Sequence, residues 1–158
     1  MTLSRSQVMA RVHSTNTQPE ILLRRHLHRL GYGFRLHAAN LPGSPDIVFL
    51  GRPKVIFLHG CFWHRHEGCR RATTPKNNAA YWETKFARNV ARDERVILKL
   101  QQTGWTHLVV WECELKDGDE LEARLIRFLG LPRRQCHRQF EAESTDRSST
   151  ATNKCGEK

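Results

Sequence analysis

Leu23, Leu27 and Leu30 recur at the steps of one helical face, just downstream of Thr17-Gln18-Pro19-Glu20. That tetrapeptide reads as a helix start, with Thr17 as N-cap, Pro19 in the first turn and Glu20 three residues after the cap. Gly31 is the stop. Tyr32 to His37 then alternates like a half-buried strand, and Leu41-Pro42-Gly43-Ser44-Pro45 is a turn. Two apolar runs, Asp46 to Leu50 and Lys54 to His59, flank Gly51-Arg52-Pro53 and predict a hairpin. After a loop from Gly60 to Pro75, a long helix from about Asn78 to Gln102 carries Trp82, Phe86, Val90, Ile97 and Leu100 towards one side. Asn89 and Asp93 fall on or beside that face, where polar groups need a reason. Thr106 to Trp111 is nearly all apolar, as suits a central strand covered on both faces. Asp117, Asp119 and Glu120 give the last helix an acidic start, with Leu121, Leu125, Phe128 and Leu129 as its apolar side.

The order helix, strand, strand, strand, loop, helix, strand, helix predicts an α/β sandwich, a small mixed sheet flanked by helices on both faces. A chain of 158 residues has room for one such domain. It is expected over residues 17–131. Residues 1–16 carry only scattered apolar points, Leu3, Val8, Met9 and Val12, and read as an arm or short helix. Residues 132–158 are rich in Ser, Thr and charge and are expected to be disordered.

Charge narrows the partner. Lys and Arg outnumber Asp and Glu by 26 to 16, for a net charge of +10, which favours a polyanion and nucleic acid first. The plainer reading is a soluble protein that is merely basic. No apolar run approaches the ~20 residues of a membrane span. MTLSRSQVMARVH lacks the apolar middle of a secretory signal, so the expected location is the cytoplasm, at the nucleoid, where thiols stay reduced. The cysteines are then metal ligands or bystanders rather than disulfides.

Cys61, His66 and Cys69 stand at spacing Cys-x4-His-x2-Cys, and Cys113 arrives at the end of a predicted strand. Four ligands of this kind close a tetrahedral zinc site, which with no open position is structural. The alternative is small buried cysteines and solvated histidines. A clamp at Cys61 and His66 would hold Phe62, Trp63, His64 and Arg65 rigid, either to wedge the two aromatics between base pairs or with those aromatics folded back onto the core. The predicted hairpin brings Asp46 to the end of the second strand. A carboxylate with a backbone carbonyl there suits Mg²⁺, and His59 and His64 beside it can orient a water or take its proton. Asp46 alone, after a proline, is a turn residue; with two histidines and the basic charge, phosphodiester hydrolysis is the economical reading. Glu20 either points towards this centre or completes a capping box with Thr17.

In combination, Leu41-Pro42-Gly43-Ser44-Pro45-Asp46, Phe57-Leu58-His59-Gly60-Cys61-Phe62-Trp63-His64, the segment Trp82 to Asp93, Gly104-Trp105 and Val110-Trp111-Glu112-Cys113 resemble the very short patch repair (Vsr) DNA mismatch endonucleases. The likeness covers roughly residues 4–130. It implies a restriction-endonuclease-like three-layer sandwich and Mg²⁺-dependent nicking of double-stranded DNA, 5′ of the thymine in a T:G mismatch left by deamination of 5-methylcytosine. Asp46 would bind Mg²⁺ with the Leu58 carbonyl, and His59 and His64 would be catalytic. Cys61, His66, Cys69 and Cys113 would hold structural Zn²⁺. Phe62, Trp63 and Trp82 would enter the DNA beside the mismatch, with Met9 opposite them, and Glu20 and Asn89 would serve the active centre and DNA contact. Leu58 replaces a hydroxyl residue, which keeps the carbonyl ligand. Glu67-Gly68 lengthens the zinc loop by one residue and leaves His64 and His66 both open as the zinc histidine. Phe57-Leu58-His59 stands where related nucleases carry an acidic-x-Lys signature. A monomer is expected because a mismatch is asymmetric, with mismatch-repair proteins or a repair polymerase as further candidate partners. Two other classes fit part of the pattern: a zinc-stabilised DNA-binding module without chemistry, and a nuclease acting on unmismatched sites.

Overall fold

A computed structural model of the chain describes residues 16–49 and 51–132. Met9, most of the expected arm, Leu50 and residues 133–158 of the expected tail lie outside the described residues, whereas Pro132, its first residue, is fully buried. The elements run α1 (Gln18–Arg29), β1 (Arg35–Leu36), β2 (Ile47–Phe49), β3 (Lys54–His59), α2 (Ala79–Gln102), β4 (Thr106–Trp111), a short 3₁₀ turn (Glu114–Lys116) and α3 (Gly118–Leu129). The strands form one mixed sheet in the order β1-β2-β3-β4, antiparallel except for the parallel pair β3-β4. The hairpin register sets Ile47 opposite Ile56 and Val48 opposite Val55.

Alternation along the strands divides the core in two. Ile47, Phe49, Ile56 and Val110 pack with Leu23 and Leu27 of α1 and Leu121, Leu125 and Leu129 of α3. Val48, Val55 and Phe57 pack instead with Leu100 of α2, and with Val96, Trp105 and Val109 at the margin. Each leucine of α1 and α3 withdrawn from water contributes about 1.5–3 kcal/mol, which is how these two helices are held to the four-stranded sheet.

Three details depart from the sequence reading. The run from Tyr32 to His37 yields only the two-residue β1, because Tyr32 is buried with its hydroxyl donating to the Gly130 carbonyl, and His37 turns out of the strand at φ +47°. The apolar run Thr106–Trp111 is covered on both faces, yet β4 ends the sheet and has β3 as its one strand neighbour among the described residues. Side chains cover its outer edge instead: Arg124 donates to the Val109 carbonyl (3.0 Å) and Glu114 accepts from the Trp111 N–H (2.7 Å). Along α2 only Phe86 and Leu100 are fully withdrawn from solvent, while Trp82, Val90 and Ile97 are half-buried.

The loop before β2 docks on α2 through Gly43. A Cβ there would meet a Val96 methyl at 2.3 Å, and the backbone sits at φ +75°, a region side chains disfavour. Gly43→Ala is predicted to cost about 2 kcal/mol through both effects, read as a lowered urea midpoint with an unchanged slope.

Candidate active site and metal centre

Asp46 leads into β2 behind a fully buried Pro45, and the hairpin register carries it to the far end of β3, where the Leu58 N–H donates to its Oδ2 at 2.8 Å. The His59 carbonyl accepts from Glu112 on the β4 side at 3.0 Å, so the peptide groups of Leu58 face β2, and its carbonyl opens towards Asp46. Burial holds the Asp46 carboxyl above the usual carboxylate range; the Leu58 N–H opposes that rise and the nearby Glu20 carboxylate adds to it.

Glu20 does both things left open for it. Only 6% exposed, it accepts from the Thr17 hydroxyl (2.9 Å) and, at 3.4 Å, from the Thr17 N–H at the helix start. Its other oxygen takes the Asn16 N–H (3.0 Å) and the Arg24 guanidinium (2.8 Å), and lies 3.8 Å from His37 Nε2. One ligand atom each from Glu20, His37 and Asp46 falls within 4.8 Å of the others. His37 was not singled out from sequence, where it reads as the polar end of a strand; Arg24 could have been, since Glu20 and Arg24 are an i,i+4 helical pair.

His59, the last residue of β3, turns to the opposite face, towards α2. Its ring stacks on His64 with centroids 3.9 Å apart, and His64 Nδ1 meets Asp93 Oδ2 of α2 at 2.5 Å. Burial, then repulsion from His64, lowers His59 to about 4, so its ring is neutral at pH 7. Asp93 therefore has the reason its position on α2 demanded. A groove of about 420 Å³ joins these groups, with Asp46, Leu58, His59, His64, Arg92 and Asp93 in its wall.

His66 lies elsewhere. Its Nδ1 is 3.6 Å from Cys61 Sγ and 3.3 Å from Cys113 Sγ, and Cys69 completes a group whose ligand atoms are all within 4.8 Å. Trp111 stacks flat on the His66 ring at 4.2 Å. Burial pushes the Cys61 thiol up to about 12, so it stays protonated unless a bound cation replaces the proton. Three sulfurs and one imidazole are the donor set of a closed tetrahedral site. His64 and His66 thus separate: the first sits with His59 and Asp93, the second with the cysteines.

Between those two centres Phe62 and Trp63 are half-buried and meet edge to face at 5.0 Å. Phe62 packs on Phe86 (5.1 Å) and Trp82 (5.6 Å), and Trp63 lies 6.1 Å from Trp82. They rest on the first half of α2 rather than in either sheet core. Asn89 donates to the Trp63 carbonyl at 3.2 Å, fixing the aromatic loop to the helix.

The geometry is that of an α/β protein with a cysteine-rich centre and a carboxylate–histidine groove on adjoining sides of one short loop. Residues 2–71 match the family described as DNA mismatch endonuclease Vsr. The chain is 51% identical over 125 residues to the type II nicking enzyme V.XorIIP of Xanthomonas oryzae pv. oryzae, covering 79% of this chain and 91% of that protein. It is 39% identical over 128 residues to the type II nicking enzyme V.NmeAIP of Neisseria meningitidis, covering 81% and 91%. Against the DNA mismatch endonuclease Vsr of Escherichia coli K12 it is 41% identical over 118 residues, three quarters of each chain. The chain belongs to the Vsr family.

Phe86 is the buried floor of the aromatic cluster. Phe86→Ala is predicted to lower unfolding free energy by about 3 kcal/mol and to shift tryptophan emission to the red as Trp63 and Trp82 gain water; urea titration followed by fluorescence measures both.

Proposed function

We propose that the protein is a DNA endonuclease that nicks one strand of duplex DNA 5′ of the thymine in a T:G mismatch, starting very short patch repair. Supporting this is one juxtaposition: a groove holding Asp46, His59, His64 and Asp93 lies beside an aromatic cluster on a chain of the Vsr family. The two-layered core around a mixed sheet supports a restriction-endonuclease-like three-layer sandwich. DNA-acting enzymes of this kind work in the cytoplasm, at the nucleoid, and a single chain suffices for an asymmetric lesion.

In this reading His64 is the general base. Asp93 on Nδ1 fixes the ring and leaves Nε2 free to take a proton from water; the water oxygen bonds to phosphorus as the bond to the leaving sugar oxygen breaks. Neutral His59 stacks on His64 and limits its rotation. Asp46 and the Leu58 carbonyl are hard oxygen donors that suit Mg²⁺. When bound there, Mg²⁺ would neutralise charge developing on the phosphate oxygens. Cys61, His66, Cys69 and Cys113 would hold Zn²⁺, which locks the loop that presents Phe62 and Trp63. Those rings, with Trp82, would unstack the DNA beside the mismatch.

Several relatives are named type II nicking enzymes, so a nuclease without mismatch preference is the second reading; a panel of matched and mismatched duplexes separates the two. Asp46→Ala is predicted to reduce nicking of a T:G duplex in Mg²⁺ by about a hundredfold or more while mismatch binding persists. Unchanged cleavage refutes the assignment. Purified protein is predicted to carry about one zinc per chain, retained through EDTA treatment that stops nicking reversibly, and Cys113→Ser to lose that zinc and melt at lower temperature. A folded protein free of zinc contradicts the structural centre.

A further inference from the structure

We propose that α2 carries a phosphate-tracking surface for duplex DNA, running from the aromatic cluster past the groove towards the end of the helix, an inference that rests on the endonuclease reading above. Tyr81, Lys85, Arg88, Arg92, Arg95 and Lys99 follow one another at steps of four, three, four, three and four residues. At 3.6 residues per turn these steps keep the whole row within about 80° of helix arc, a single stripe. Glu83 and Glu94 fall on the far side of α2, and Asp93 turns to His64. Arg88, Arg92, Arg95 and Lys99 are exposed, and Tyr81 is 60% exposed. Among the described residues the one ion pair made by the cations of the stripe joins Arg92 to Asp93 at 3.4 Å, and the Arg92 side chain is still 59% exposed. Repulsion along such a row opposes the helix, and a polyanion laid against it removes the repulsion.

The placement of the stripe identifies the polyanion. At one end Lys85 Nζ lies over the rings of Trp63 (5.2 Å), Trp82 (5.4 Å) and Tyr81 (5.8 Å). In the middle Arg92 shares the groove wall with Asp46, His59 and His64. From Lys85 to Lys99 the helix rises about 21 Å, the length of about six base-pair steps measured along the duplex axis. A strand held there would have its bases at the aromatics, one phosphate at the groove and further phosphates beyond it. Arg92 therefore contacts the backbone next to the scissile bond, and Arg95 and Lys99 extend the footprint to one side.

The test uses the full chain, a fluorescent duplex with one T:G mismatch and its matched counterpart, and binding measured by anisotropy over a series of salt concentrations. Arg88→Gln, Arg95→Gln and Lys99→Gln are combined in one variant. A control variant combines Arg25→Gln, Lys116→Gln and Arg127→Gln, removing the same charge from exposed positions outside α2. Glutamine preserves helix propensity. The stripe variant is expected to lose about 2 to 3 from the slope of log affinity against log salt, equally for both duplexes, with the control nearly unchanged. An unchanged slope in the stripe variant, or an equal loss in the control, makes the row a solvated face and overturns the proposal. If the wild type nicks T:G duplex meanwhile, the endonuclease reading survives that failure; a wild type that neither nicks nor binds duplex overturns both.

Discussion

The hydrogen bond from the Leu58 N–H to Asp46 is the local expression of the constraint on which the site depends, the register of the β2-β3 hairpin. A slip of one residue would turn every side chain of β3 to the other face. Ile56 would leave the α1/α3 core, Val55 and Phe57 would leave the α2 core, and His59 would point away from His64. Burial on both faces thus fixes chemistry at the strand end. The same strand offers its backbone at Leu58 to one side and its side chain at His59 to the other, and so borders both the carboxylate and the histidine parts of the groove.

The loop after β3 extends that economy. The His64 N–H donates to the Gly60 carbonyl and the His66 N–H to that of Cys61, a tight turn closed by Arg65 at φ +55°. Successive side chains of such a turn diverge: Cys61 and His66 go to the cysteine group, Phe62 and Trp63 to α2, and His64 to the groove. The coil is short enough that the proposed zinc centre, aromatics and base cannot move independently. Any cation that tightens the cysteine group also sets the angle of His64.

Much of this was legible in the residues. Elements with strong periodicity, α1, β3, α2 and α3, lie within one or two residues of where the pattern put them, because leucine spacing, the Thr17 cap and the acidic start at Asp117 act locally. The Cys-His spacing and the hairpin gave the two centres for the same reason. Less legible were features made by contacts distant in sequence. That β4 would be the edge strand depends on Arg124 and Glu114 covering it, and no spacing announces this. His37 joins Glu20 and Asp46 through a left-handed backbone that the alternation of its segment concealed. Asp93 stood out only as a polar residue on an apolar helix face; its partner His64 is 29 residues away.

Asp93 also shows why α2 is more than a core helix. Of its 24 residues, only Phe86 and Leu100 are fully buried, too few to fix so long a helix by burial alone. The remaining attachment is polar and aromatic: Asn89 to the Trp63 carbonyl, Asp93 to His64, and Trp82 to Phe62. Each of these contacts joins α2 to the loop at residues 62–64 rather than to the sheet. The helix and the loop therefore stabilise each other, and the groove between them is shaped by the same contacts that position His64. A helix tethered mainly by the residues of a site can shift when those residues engage a substrate, whereas α1 and α3, held by buried leucines, stay with the sheet. Buried leucines thus hold the face of the sheet opposite the groove, and polar and aromatic contacts to the loop at residues 62–64 hold the groove side.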